Sequence, residues 1–470
     1  MGKSLQNFIY NSIYHLLVIA APLITTPYIS RVLGAENIGI YSYSYSIAYY
    51  FVMFIILGLN NYGNRTIAMV RNDKKELSKT FLEMYAMQLS IAIVMIIAYC
   101  IYTLLFSNTT MSWIMLIYVI SGALDVNWLF FGLEEFKLTV TRNIIIKVLT
   151  TCGIFLFVKS ASDVYLYGLI MTGGILASQI VIWPFVRKNV SFCRIEASAI
   201  KKHLKPNLVL FIPVVAVSIY KFMDKIMLGL LSNMEQVGFY ENADKIVNVP
   251  MALVNALGNV MLPRMSNLIA NNKKKEAETI FSKSIMIAMF CSTSMCFGIM
   301  GLSEIFVPWF YGDGYNPVVI LFQILLPSCI FLAFANVIRT QYLIPNKKDK
   351  IYMESVILGA IVNLLTNAIL IPRMASIGAA VGTLCAEAIV CIWQAVMIRK
   401  EIDAAKYVKQ AIPFVCAGVI MYVVLLALPN FGTKTITSII VKTVLGAVVY
   451  LLLISCYMFA NRKKNHSIDL

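Results

Sequence analysis

The stretch Tyr41-Ser42-Tyr43-Ser44-Tyr45-Ser46-Ile47-Ala48-Tyr49-Tyr50 alternates large and small residues as a β-strand does. Apolar sequence continues from it through Phe51-Val52-Met53-Phe54-Ile55-Ile56-Leu57, and a run of that length is a helix, not a strand. On a helix Tyr41, Tyr45 and Tyr49 fall four residues apart and share one stripe of rings with hydroxyl ends, a surface suited to sugar faces. An interfacial aromatic belt would use the same residues.

Outward from this stretch the same apolar length recurs. The 470 residues are 60% hydrophobic and 13% charged, with a mean hydropathy of +0.78, which excludes an ordinary soluble protein. Crossing the ~30 Å hydrocarbon layer takes roughly 20 apolar residues of helix, because backbone groups in lipid must pair internally. Runs of this kind extend from Phe8 to Phe459 and predict spans at 8–30, 38–60, 80–106, 112–132, 143–160, 164–186, 207–231, 238–262, 284–311, 317–344, 351–372, 376–398, 411–429 and 437–460. The expected fold is an all-α membrane protein of about 14 transmembrane helices.

The first span follows the single base Lys3 and lacks a small-residue cleavage site, so it reads as a retained helix. Gln6 stands where a myristoylation signal needs Ser or Thr. The ten cysteines are scattered without metal or redox spacing, and His15, His203 and His466 are far apart. No metal or organic cofactor is expected.

The net charge of +16 is a topology signal. Basic clusters at Arg71–Lys79, Lys137–Arg142, Arg187–Lys205, Lys273–Lys275, Lys347–Lys350, Arg399–Lys409 and Arg462–Lys464 follow every second span, whereas Arg31, Lys159, Arg373 and Lys434 fall on the other side. The asymmetry predicts a multi-pass protein of a bacterial inner membrane with both termini cytoplasmic. Membrane lipids are secondary partners of these loops. Charge spread over seven short loops argues against nucleic-acid binding.

An internal repeat is visible at an offset of 199, which pairs Gly39 with Gly238, Tyr41 with Tyr240, Asn60 with Asn259 and Arg65 with Arg264. An offset of 200 pairs Leu57-Gly58 with Leu257-Gly258 and Phe81 with Phe281. The domains expected are an N-lobe at 1–190, a cytoplasmic linker at 191–206, a C-lobe at 207–400, and the last two spans with a basic tail at 401–470. Six spans per lobe give both copies one orientation, as in transporters that alternate access by rocking one bundle against the other.

Charges inside spans are costly and mark cavities or partners. The bases to consider are Arg31, Arg65, Arg142, Lys147, Lys221, Lys225, Lys245, Arg264 and Arg339. For Arg65, Arg142 and Arg264, near the cytoplasmic edge, snorkelling to headgroups is the alternative. Lys221, Asp224 and Lys225 share a helix face, so Lys221 could pair with Asp224 and leave Lys225 to a ligand. The acids Asp125, Asp224, Glu241, Asp244 and Glu387 are candidates for pairing or for a coupling proton or Na⁺. Asn255, Asn259, Asn363 and Asn367 are candidate sugar contacts or interhelical hydrogen-bonding residues. Basic clusters in a wet cavity suit an anionic headgroup.

No Walker A loop and no His-Glu-x-x-His sequence is present, so ATP-driven pumping and metalloprotease chemistry lack their parts. The outer loops are short for a membrane glycosyl polymerase. The chain reads as a transporter rather than an enzyme.

Several motifs together carry a resemblance: Arg31-Val-Leu-Gly-Ala-Glu-Asn-Ile-Gly39-Ile-Tyr41, Trp128-Leu-Phe-Phe-Gly-Leu-Glu134, Gly238-Phe-Tyr-Glu-Asn-Ala-Asp-Lys245, Leu262-Pro-Arg264, Asn363-x₃-Asn367-x₂-Leu-Ile-Pro372 and Gly378-Ala-Ala-x₂-Thr383-x₃-Glu387. In this order they resemble the polysaccharide-transport flippases of the multidrug/oligosaccharidyl-lipid/polysaccharide exporter superfamily. The resemblance implies a V-shaped pair of six-helix lobes with a cationic cavity, translocating undecaprenyl-pyrophosphate-linked oligosaccharide for O-antigen, capsule or exopolysaccharide. A polysaccharide polymerase and a chain-length regulator of the same pathway are the expected protein partners. A drug/cation antiporter, a peptidoglycan-precursor flippase and an intramembrane polymerase are the competing readings.

Overall fold

The computed structural model describes residues 3–431 and 435–466. Lys434, expected on the outer side, lies outside the described residues. In chain order the helices are α1 (Lys3–Ile56), α2 (Leu59–Val70), α3 (Lys74–Tyr102), α4 (Thr110–Ala123), α5 (Asn127–Gly132), α6 (Phe136–Phe157), α7 (Val164–Asn189), α8 (Ala197–Leu231), α9 (Met234–Ala270), α10 (Lys274–Tyr311), α11 (Pro317–Leu325), α12 (Ser328–Ile338), α13 (Asp349–Ile398), α14 (Ala404–Ala427) and α15 (Thr435–His466). No strand occurs among the described residues.

Local chemistry sets several of these boundaries. Asp73 caps α3 by accepting from the Lys75 and Glu76 amides, and Thr109 caps α4 through the Ser112 amide. Gly34 (φ 76°, ψ 169°) interrupts α1, a conformation that costs glycine little, and Ala375 (φ 48°, ψ −125°) interrupts α13. Twelve described helices are long and apolar enough to cross a membrane. At about 1.5 Å per residue the 54 residues of α1 and 50 of α13 exceed twice the hydrocarbon thickness. Fourteen crossings would therefore require each of these two broken helices to cross twice.

The outer surface is apolar: Leu105 and Phe106 are 70% and 78% exposed, as lipid contact requires. Polar side chains are turned inward instead. In the opening stretch Ser42, Ser44 and Ser46 are all buried while the tyrosines between them are half-buried. The alternation therefore records size, with small residues where helices press together and rings where space opens.

By packing, the chain divides into two units, residues 1–229 with 233–238, and residues 230–232 with 239–470. The charge pattern puts a linker at 191–206; α8 begins inside that stretch at Ala197, and the packing division falls at the end of α8. The reason is a polar anchor: Lys202 Nζ and His203 Nε2 lie 2.9 and 3.0 Å from the buried Glu83 carboxylate of α3, and Tyr62 of α2 meets His203 Nδ1 at 2.8 Å. Farther along α8, Phe211 joins Met53 and Leu57 in a small apolar core.

In the first unit Trp128 lies fully buried on Phe81, with ring centroids 5.4 Å apart, and closes over Gly63. In the second, α14 and α15 pack on α10 through Gly418 against Phe297, Gly301 against Leu425, and the Thr293–Tyr450 hydroxyl pair at 2.7 Å.

Candidate functional site

The first unit holds a half-open cavity of about 310 Å³ between α1, α2, α4, α7 and α8. Tyr45, Tyr49 and Tyr118 supply rings with hydroxyls, Val52, Met53, Ile56, Leu57, Ile175 and Val214 supply apolar wall, and Asn60, Ser121, Asp125 and Gln179 supply polar groups. Its floor forms where α4 ends within the membrane-spanning part of the chain. Helix ends leave carbonyls without amide partners, and here Gln88 Nε2 donates to the Gly122 and Asp125 carbonyls at 2.9 Å each, while Trp183 Nε1 donates to the Leu124 carbonyl. Trp128 Nε1 in turn donates to Gln88 Oε1 at 3.0 Å.

Asp125 Oδ1 accepts from the Asn127 amide and side chain at 2.9 and 2.7 Å. Arg142 continues this network. It is 6% exposed and donates to Asn127 Oδ1 at 2.8 Å and to Asn143 Oδ1 at 2.7 Å.

The tyrosine stripe forms a ladder of rings. Tyr41 stacks toward Tyr45 at 6.0 Å and meets Tyr167 edge-on, Tyr45 stacks on Tyr118 at 4.9 Å, and Tyr49 stacks on Phe222 of α8 at 3.9 Å. Phe222 carries two ammonium groups, Lys221 Nζ at 5.7 Å and Lys225 Nζ at 5.9 Å from its ring centre. Lys225 and Asp224 are buried, and Lys221 is exposed. The sequence put the lysines and the tyrosines on separate spans; Phe222 joins them.

The remaining candidates are distributed more widely. Arg31, Arg65 and Arg264 are exposed, and Lys147 is half-buried on α6. In the second unit Lys245 pairs with Glu241 at 3.4 Å, and Asn248 donates to the Asp244 carbonyl. Asn336 donates to Asn255 at 2.8 Å, and Asn259 is exposed. Arg339 opens a π-helical turn (Arg339–Leu343) and lies over the Tyr352 ring at 5.6 Å. Asn363 and Asn367 are fully buried and bonded to each other at 3.2 Å, with Glu387 buried on the same helix. Tyr240 reaches the Thr383 hydroxyl at 2.8 Å.

Sequence reasoning did not single out Asn60, Tyr118, Ser121 and Gln179 as site residues. Gln179 carried a usable signal, an amide in the middle of an apolar span. Tyr118 carried none, being one of 25 tyrosines. Glu83, an acid inside a predicted span, was likewise open to detection.

The profile of the polysaccharide biosynthesis protein family matches residues 4–269, more than half of the chain. The chain belongs to this family. A MatE profile matches residues 210–369, in keeping with the multidrug/oligosaccharidyl-lipid/polysaccharide exporter superfamily indicated by the motifs. A candidate O-antigen transporter of Escherichia coli strain K12 is 24% identical over 402 residues, covering 84% of this chain and 97% of that relative. One from Shigella dysenteriae is 25% identical over 350 residues, covering 73% and 87%. The fold is similar to the lipid II flippase MurJ in an inward closed conformation, with a TM-score of 0.68 and 14% identity over 96% of this chain and 98% of that one. A polysaccharide biosynthesis family member of this fold is a multi-pass membrane protein.

Proposed function

We propose that the chain flips undecaprenyl-pyrophosphate-linked oligosaccharide repeat units across the bacterial cytoplasmic membrane by alternating access, for O-antigen, capsule or exopolysaccharide assembly. The observation that carries this reading is Phe222, one ring that stacks on Tyr49 of the cavity wall and sits beneath two lysine ammonium groups. Lysine is a compact point charge that suits a phosphate, and hydroxyl-bearing rings suit a pyranose face. A glycosyl pyrophosphate needs both chemistries a short distance apart. The prenyl chain stays in the bilayer. A proton or Na⁺ is the coupling ion, and a polysaccharide polymerase and a chain-length regulator of the same pathway receive the product on the outer side.

Asp125 in the cavity is the feature that favours the alternative, export of a cationic drug. The two readings separate in one experiment. Vesicles containing the purified protein should expose a fluorescent polyprenyl-pyrophosphate-linked sugar to an impermeant outside reagent at least tenfold faster than empty vesicles. No acceleration, together with accumulation of a cationic dye against a proton gradient, would give the function to drug export.

A further inference from the structure

Asp125 is the one charged residue of the cavity lining. No Lys, Arg or His lines it. Ser121 has spent its proton on the Tyr118 carbonyl at 2.6 Å. Asp125 uses Oδ1 for Asn127, and its second oxygen makes no hydrogen bond among the described residues. Gln179, 8% exposed, has its Oε1 buried with no partner. A buried acceptor without a donor is costly and is found where an ordered ligand or water supplies the proton.

The volume decides what kind of ligand this is. At roughly 30 Å³ per water, 310 Å³ corresponds to about ten waters, far more than one metal ion fills, and the walls are mostly aromatic and aliphatic. A single pyranose with its ring of hydroxyl donors matches both size and lining. The Tyr49–Phe222 stack places both lysine ammonium groups within about 10 Å of the Tyr49 ring, the span of a sugar joined to a pyrophosphate.

We infer that this cavity is the subsite for the sugar attached to the pyrophosphate, and that Asp125, the one charged residue of its lining, admits a neutral or ammonium-bearing sugar and rejects an acidic one. The inference rests on the flippase reading and adds the class of sugar. A uronate carboxylate in the cavity would meet the Asp125 carboxylate, while Arg142, the base of that network, is already bonded to Asn127 and Asn143 and does not line the cavity, and like charges in a low-dielectric site repel strongly. A hydroxyl or ammonium donates to the same oxygens.

The test uses the full chain in vesicles and three polyprenyl-pyrophosphate-linked monosaccharides: glucose, glucosamine and glucuronic acid. Glucose and glucosamine should cross at rates within threefold of each other, and glucuronic acid at least tenfold more slowly. Asp125→Asn should shrink the penalty on glucuronic acid to under threefold. Gln179→Glu, a second variant of similar shape, should widen it and favour glucosamine. Equal rates for all three sugars in the wild type would overturn the inference and leave the flippase reading standing. Transport that depends on Na⁺ or a proton gradient, loses that dependence in Asp125→Asn and keeps its sugar preference would give the cavity to the coupling ion and also overturn it. If no sugar crosses faster than in empty vesicles, the flippase reading itself fails, and the inference with it.

Discussion

Gly39 and Gly238, one from each copy of the internal repeat, lie against one another's backbone. A Cβ on Gly39 would sit 1.7 Å from the Met234 carbonyl oxygen and 3.0 Å from the Gly238 amide nitrogen, and one on Gly238 would sit 1.9 Å from the Ala35 carbonyl oxygen. Both obstacles are main chain, so no rotamer change can relieve them. Of all the repeat-related pairs, this one shows why the same residue type recurs at offset 199: each glycine permits the other's approach.

Gly39→Ala and Gly238→Ala should each destabilise the protein by about 1–3 kcal/mol or more, the usual cost of overpacking. Gly173→Ala is the control, because nothing lies within 4 Å of its added Cβ. Thermal unfolding in detergent should show a lower midpoint for the first two and an unchanged or higher midpoint for Gly173→Ala. Equal behaviour of all three would contradict the close approach.

Lys225→Ala should cut flipping at least tenfold while leaving membrane insertion and unfolding temperature near wild type, and Phe222→Leu should cut it by a smaller factor. Arg339→Ala on the second unit is the companion variant, since Arg339 also lies over a ring, that of Tyr352. Normal surface polysaccharide in cells carrying Lys225→Ala would count against a cationic contact at Phe222.

Gln88→Leu removes the donor to two carbonyls at the end of α4 and the acceptor for Trp128. Each buried group left unpaired costs about 1–3 kcal/mol. The variant should therefore be among the least stable single substitutions in the first unit, with loss of folded protein on size-exclusion chromatography. Gln88→Glu keeps the acceptor and loses the double donor, and should fall between.

A pH effect is expected where the segment after α12 meets the turn after α13. Glu401 accepts from Lys348 and then from Tyr342, and these bonds hold its carboxyl below the ordinary carboxylate range. A lowered folded-state value adds stability that is present above the ordinary carboxylate pKa and is lost as pH falls through the folded value. The group is about half exposed, so the effect is small. Unfolding midpoints of wild type and Glu401→Gln should differ slightly at neutral pH and converge in acid. A gap that persists unchanged in acid would remove the electrostatic explanation.

Much of this protein is legible in one dimension because lipid imposes a one-dimensional rule. Apolar length and the alternation of basic loops are properties of consecutive residues, and they suffice for an all-helical membrane protein with an internal repeat. The tyrosine stripe was visible for the same reason, since helical phase follows from spacing alone. Residue partnerships were not. Arg142 meets Asn127 only where the end of α4 brings the two together, and the two lysines of α8 meet over the Phe222 ring.

What the sequence by itself determined is the class of fold and the family. Only the tertiary structure decided that α8 packs with the first unit, that Gln179, Asn60 and Tyr118 join Asp125 around one cavity, and that Phe222 links bases to rings. The physical reason is that covalent order sets length and phase, whereas a cavity exists only where helices distant in sequence fail to fill the space between them.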